Sequence, residues 1–177
     1  MNNKARVLIT QDCNRNCPNC CAEYSTIMST MCPCKVEDMA NYDELLITGG
    51  EPMLYPEKVM AFIKKSKEVN PDIRIYLYTA LWDDSLHKII DTIDGIHFTL
   101  HIHADEEDIE GFNKFQELAK IYHIDKSFRV YIDPAVQIPI TIYPWVYKRL
   151  EVKPWIMEGD CPLPEGEDLL RLTSFVS

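Results

Sequence analysis

No run of apolar residues in this chain approaches the ~20 that a membrane-spanning helix requires. Met1-Asn2-Asn3-Lys4 leads straight into a strand-like run, without the succession of charged, apolar and small residues that marks a signal peptide. Both absences predict a cytoplasmic protein with no membrane partner. Positive charge is scarce too: 18 Lys and Arg stand against 28 Asp and Glu, a net charge of −10. Surfaces that neutralise many phosphates are built from Lys and Arg, so an extended nucleic-acid surface is excluded, while binding of a nucleotide or a protein is not. Internal repeats and low-complexity tracts are also lacking. What the chain does have is cysteine, seven in all. The number is odd and all but Cys161 lie at or before position 34, a pattern of metal or redox use in a reducing compartment rather than of a disulfide framework.

With 177 residues, 46% of them hydrophobic and 26% charged, the chain has the composition of one soluble globular domain. Five β-rich runs are bounded by turn signals: 5–10, 44–48, 73–79, 96–102 and 128–132. Between them lie helical patterns. Pro56 suits a first helical turn and is followed by Val59, Met60 and Ile63. Asp83-Asp84 would cap a helix bearing Leu86, Ile89, Ile90 and Ile93. The acidic run Asp105-Glu106-Glu107-Asp108 opens a third helix with Phe112, Phe115, Ala119 and Tyr122 on one stripe, and reads as a solvated helix start rather than a metal site. Alternation of strand and helix implies a parallel α/β sheet with right-handed crossovers. From about residue 134 the prolines Pro134, Pro139, Pro144, Pro154, Pro162 and Pro164 predict an irregular C-terminal segment, with 147–157 as a sixth, edge strand. The whole, 1–177, is expected to be a single domain.

Two motifs follow the first two strands. Cys13, Cys17 and Cys20 stand at C-x₃-C-x₂-C spacing, and Gly49-Gly50-Glu51-Pro52 ends the second run. Three neighbouring thiolates can hold three irons of a [4Fe–4S] cluster, which usually takes four, and a missing fourth ligand leaves one iron open. The alternative, structural zinc, takes four closed ligands, commonly as paired C-x₂-C units. In parallel α/β folds ligands sit at the carboxyl ends of strands, where both motifs fall.

The C-x₃-C-x₂-C and Gly-Gly-Glu together resemble the radical S-adenosylmethionine (radical SAM) superfamily. That resemblance implies an open partial (β/α) barrel of about five or six mostly parallel strands. It also implies an enzyme with a [4Fe–4S] cluster on Cys13, Cys17 and Cys20, and S-adenosylmethionine bound at the open iron with Gly49, Gly50 and Glu51 orienting its amino group. Reductive cleavage would release a 5′-deoxyadenosyl radical that abstracts hydrogen from a small-molecule, peptide or protein substrate. An electron donor such as flavodoxin or ferredoxin is implied. In the family, polar residues after the third and fourth strands reach the cofactor, and Thr79, Thr99 and His101 occupy comparable places here. Asn19 stands where the family often has an aromatic or apolar residue.

Small size is similar to that of glycyl-radical-enzyme activases, such as the anaerobic ribonucleotide reductase activase, and of 7-carboxy-7-deazaguanine synthases. Cys20-Cys21-Ala22-Glu23-Tyr24 matches the continuation of neither, so the substrate stays unassigned. Strand alternation places His97, Thr99, His101 and His103 on one face, either near substrate or as satisfied core and rim residues. Arg129 is either a bidentate anion contact or a solvent-facing edge cation. Cys32-Pro33-Cys34 with Cys161 is either an auxiliary metal or redox site or a set of buried hydrophobes, while Cys21 reads as structural. A rival of another class, a non-catalytic iron–sulfur electron carrier, would take a fourth ligand from Cys21, Cys32 or Cys34.

Overall fold

The computed structural model describes residues 3–15, 17, 20–21, 25–146, 150–152 and 165–173. Among them eight strands form one sheet: β1 Lys4–Leu8, β2 Cys32–Cys34, β3 Glu44–Thr48, β4 Arg74–Thr79, β5 Gly95–Leu100, β6 Ser127–Ile132, β7 Leu150–Val152 and β8 Glu167–Leu172. Every pairing is parallel. The spatial order is β2-β8-β1-β3-β4-β5-β6-β7, with β2 and β7 at the edges, so the sheet is an open partial barrel. The helices are α1 Ser25–Thr30, α2 Pro56–Val69, α3 Leu86–Ile89 and α4 Glu106–Tyr122. No helix among the described residues is long and apolar enough to cross a membrane.

Strand alternation sorts the sheet into two faces. On one, Ala5, Val7, Leu45, Ile47, Ile75, Leu77, Ile96, Phe98 and Val130 are all buried. Against them α2 lays Val59, Phe62 and Ile63, and α4 lays Phe112, Phe115 and Leu118. Phe98 stacks on Phe115 with ring centroids 4.6 Å apart and lies 6.0 Å from Phe112. The other face is polar and aromatic. Register aligns Tyr78 with His97 and His97 with Arg129. The Arg6 guanidinium sits 4.7 Å over the Tyr78 ring and pairs with Glu167 at 2.7 Å, and Tyr78 lies 4.2 Å from His97.

The five expected strands are present within a residue or two of their expected ends, and Pro56 occupies the first turn of α2. Three features differ. The helix expected after Asp83-Asp84 runs only from Leu86 to Ile89 before tightening into a 3₁₀ turn, Ile90–Thr92. Leu86, Ile89, Ile90 and Ile93 are nevertheless all buried, so the apolar spacing marked a core face without sustaining a long helix. Strand β2 and strand β8 were not expected. β8 is masked in the sequence by Glu167, Asp168 and Arg171, yet it inserts between β1 and β2. There Leu170 is buried, Glu167 meets Arg6, and Asp168 accepts a hydrogen bond from the Tyr42 hydroxyl at 3.0 Å. Of the expected edge strand over 147–157, residues 150–152 form β7; the remainder lies outside the described residues.

Candidate functional site

The chain leaves β1 through Ile9 and Thr10 into the thiol-bearing loop, and leaves β3 through Gly49 and Gly50. These two exits are laced together. Ile9 N–H donates to Thr48 O at 3.0 Å, Gly50 N–H to Thr10 O at 2.8 Å and Glu51 N–H to Asp12 O at 2.8 Å, while the Tyr55 hydroxyl donates to Asp12 Oδ2 at 2.6 Å. The seam extends parallel pairing past the ends of both strands. It also explains a glycine: a Cβ on Gly50 would lie 2.2 Å from Asp12 O and 2.7 Å from Gln11 O, distances no side chain survives without moving backbone. Gly50 therefore serves the close approach of the two loops.

Cys13, Cys17 and Cys20 are free thiols on this loop. Burial raises the Cys17 thiol to about 11, and the charges of Cys20 and Cys13 add to the rise. Burial also raises Cys13, with Glu51 and Cys20 adding to it and a backbone hydrogen bond from Arg15 opposing it. The three thiols thus feel one another and Glu51. Among the described residues no three His, Cys, Asp or Glu side chains converge as they would on a single ion. Three thiolates can each hold a separate iron of a cluster, one fewer than the four ligands of closed tetrahedral zinc.

Glu51 is 2% exposed. Its Oε1 accepts from Thr79 Oγ1 at 2.6 Å and Met53 N at 2.9 Å, and its Oε2 from Ala80 N at 2.8 Å. Burial raises its pKa, and these three bonds oppose that rise. The carboxylate consequently ties the end of β3 to the end of β4. Thr79, expected as a cofactor contact, is buried and spends its hydroxyl on Glu51 and the Leu81 amide.

His97 and Thr99 on the polar face of β5, and His101 just past the strand's end, are buried. His103 does not join them: β5 ends at Leu100, and His103 lies exposed beyond it, its amide donating to His101 Nδ1 at 3.2 Å. Burial, then Arg129 and Arg6, lowers the His97 pKa to about 3, and its Nδ1 has no partner. Arg129, half exposed, donates to the Tyr131 hydroxyl at 3.1 Å and lies 3.9 Å from Glu151.

One connection was not legible in the sequence. Arg15, between Cys13 and Cys17, pairs with Asp108 at 2.6 Å, with side-chain exposures of 12% and 5%. Asp108 is buried rather than solvated: it closes the capping box of α4 with Asp105 and lies 3.4 Å from His101 Nε2, without hydrogen-bond alignment. The signal available was a third-position acid in a helix start, which normally means only a cap.

The surplus cysteines do not gather into an auxiliary site among the described residues. Cys32 is exposed and Cys34 buried, two residues apart on β2 and so on the same face of the strand, and burial pushes the Cys34 thiol to about 12. Cys21 is disulfide-bonded. Cys161 and Asn19 lie outside the described residues.

Residues 4–115 match the family described as a 4Fe–4S single cluster domain. Among solved structures, the crystal structure of BtrN in complex with AdoMet and 2-DOIA superposes with a TM-score of 0.53 at 18% sequence identity, covering 73% of this chain and 57% of that one. The chain thus spans little more than half the length of BtrN, and the likeness is one of fold. No curated protein matches the chain. With its thiol loop and strands β1 to β5 inside the matched segment, the chain belongs to the 4Fe–4S single cluster domain family, within the radical SAM superfamily.

Proposed function

We propose that this chain is an enzyme that holds a [4Fe–4S] cluster on Cys13, Cys17 and Cys20. It binds S-adenosylmethionine at the open iron and cleaves it reductively for hydrogen abstraction from a substrate. The observation that carries the reading is the hydrogen-bonded seam joining the thiol loop to Gly49-Gly50-Glu51 at the carboxyl edge of a parallel sheet. A solved neighbour in fold, BtrN, was crystallised with AdoMet. When bound, the cluster supplies one electron, drawn from a donor such as flavodoxin or ferredoxin, to the sulfonium; the C5′–S bond breaks into methionine and the 5′-deoxyadenosyl radical.

The chain's own residues shape the space around that event. A carboxylate offers roughly four acceptor sites, and three internal bonds leave Glu51 about one for a cofactor amino group. Thr99 on the barrel-side face of β5 and His101 just past its end present polar groups. A glycyl-radical activase stays one member of this reading, with a protein loop as the substrate.

Glu51 burial also favours a second reading, a non-catalytic electron carrier in which that carboxylate is purely structural. Loss of Glu51 would loosen the strand ends in both readings, so response to S-adenosylmethionine is the discriminator. Anaerobic reconstitution with iron and sulfide, followed by electron paramagnetic resonance with and without S-adenosylmethionine, tests it. The expected result is a reduced-cluster signal that changes on addition, with 5′-deoxyadenosine released. A signal unmoved by S-adenosylmethionine, and no cleavage, would establish the carrier.

A further inference from the structure

Arg15 is tied at three points. Its backbone N–H donates to Cys13 Sγ at 3.3 Å, Nη1 meets Asp108 Oδ1 at 2.6 Å, and Nη2 reaches Ala80 O at 3.5 Å. The Ala80 peptide is in turn held through its N–H by Glu51. One guanidinium thus joins the thiol loop, the end of β4 and the start of α4. Asp108 is shaped for this task by local structure. As third residue of α4, its Oδ2 closes the capping box by accepting from Asp105 N at 3.1 Å, which leaves Oδ1 aimed at Arg15. His101 Nε2, 3.4 Å from Oδ2, completes the surroundings. Hydrogen bonds to cluster-bearing sulfurs and nearby charge are among the factors that set an iron–sulfur potential. Arg15 supplies both, since its charge also acts on Cys17.

We propose that Asp108 is the positioning residue of the cluster loop. It holds Arg15 so that the Arg15 amide donates to Cys13 Sγ and the guanidinium charge stays beside the cluster-bearing thiols, which raises the cluster's reduction potential and slows loss of its iron. The inference rests on the cluster reading above. Nothing in the spacing of the three cysteines demands it, because the partner acid lies far along the chain.

The test uses the full chain, reconstituted anaerobically, as wild type, Asp108→Asn, Asp108→Glu, Arg15→Gln and Arg15→Lys. Asparagine keeps an acceptor for the Asp105 amide, so α4 stays capped while the ion pair is lost. Two quantities are read: the midpoint potential by redox titration of the paramagnetic signal, and the rate of iron release to a chelator. Arg15→Gln should move the midpoint to more negative potential by about a tenfold change in the ratio of oxidised to reduced protein, ~59 mV for one electron. It and Asp108→Asn should release iron about tenfold faster than wild type, with Arg15→Lys and Asp108→Glu recovering part of the difference. Wild-type potential and release in both Arg15→Gln and Asp108→Asn would overturn the proposal, as would a shift in Arg15→Gln with unchanged release in Asp108→Asn. Should Asp108→Asn fail to fold, Asp108→Glu takes its place: iron release faster than wild type but slower than in Arg15→Gln is expected, and wild-type release would overturn the proposal. A wild-type chain that takes up no iron and sulfide would sink the cluster reading itself, a failure visible before any variant is made.

Discussion

All six residues of β5 are buried, yet its two faces are buried by different means. Ile96, Phe98 and Leu100 lie against hydrocarbon and aromatic rings from the helical layer. His97 and Thr99 on the strand, with His101 just beyond its end, lie against Tyr78, Asp108 and the charged groups of neighbouring strands. A non-directional apolar interface tolerates small shifts, whereas a polar face holds only while each partner is placed. The first face is therefore where stability is concentrated, and the second is where position matters for chemistry.

That contrast can be broken from either side. The largest effect is expected from Phe115→Ala, which removes a ring stacked against Phe98 and touching Phe128. Truncating a buried Phe costs about 3–5 kcal/mol, and chemical denaturation should show it as a lowered midpoint with little change in slope.

On the polar face the next effect is pH. Folding holds the His97 pKa at about 3, mainly through burial, whereas an unfolded imidazole titrates near ~6.5. Between these values the unfolded chain binds more protons, so stability falls as pH falls and the His97 contribution levels off below about 3. The loss between pH ~6.5 and ~4.5 should be on the order of 2 kcal/mol. His97→Gln should flatten that part of the profile, and equal pH slopes in variant and wild type would show that His97 is not held neutral by folding.

Glu167→Ala should cost ~1–2 kcal/mol, less than breaking a fully buried pair, because the Arg6 and Glu167 side chains are 22% and 14% exposed. A second readout, amide exchange in β8, tells whether that pair helps keep the strand in the sheet. The smallest change is Arg129→Gln, within ~1 kcal/mol, since its contact with Glu151 is half exposed.

Much of the architecture was legible because its signals are local. Runs of β-branched and aromatic residues identify β1, β3, β4, β5 and β6, and the apolar spacing of α2 and α4 identifies their buried faces. Cys13, Cys17, Cys20 and Gly49-Gly50-Glu51 were equally plain. Strand β8 was hidden because Glu167, Asp168 and Arg171 look like surface residues; their partners Arg6 and Tyr42 come from the other end of the chain. Asp108 was hidden for the same reason, its local role as a cap concealing its distant one.

By itself, the sequence determined the alternation of strands and helices, the cysteine triplet and the Gly-Gly-Glu, since each depends on residues within a few positions of one another. Only the tertiary structure decided which loops would meet. It set Gly50 against Asp12 at a distance that admits no Cβ, committed Glu51 to Thr79 and Ala80, and brought Arg15 to Asp108. Such pairings follow from how strands stack at the carboxyl edge of a parallel sheet, and a linear pattern carries no record of that adjacency.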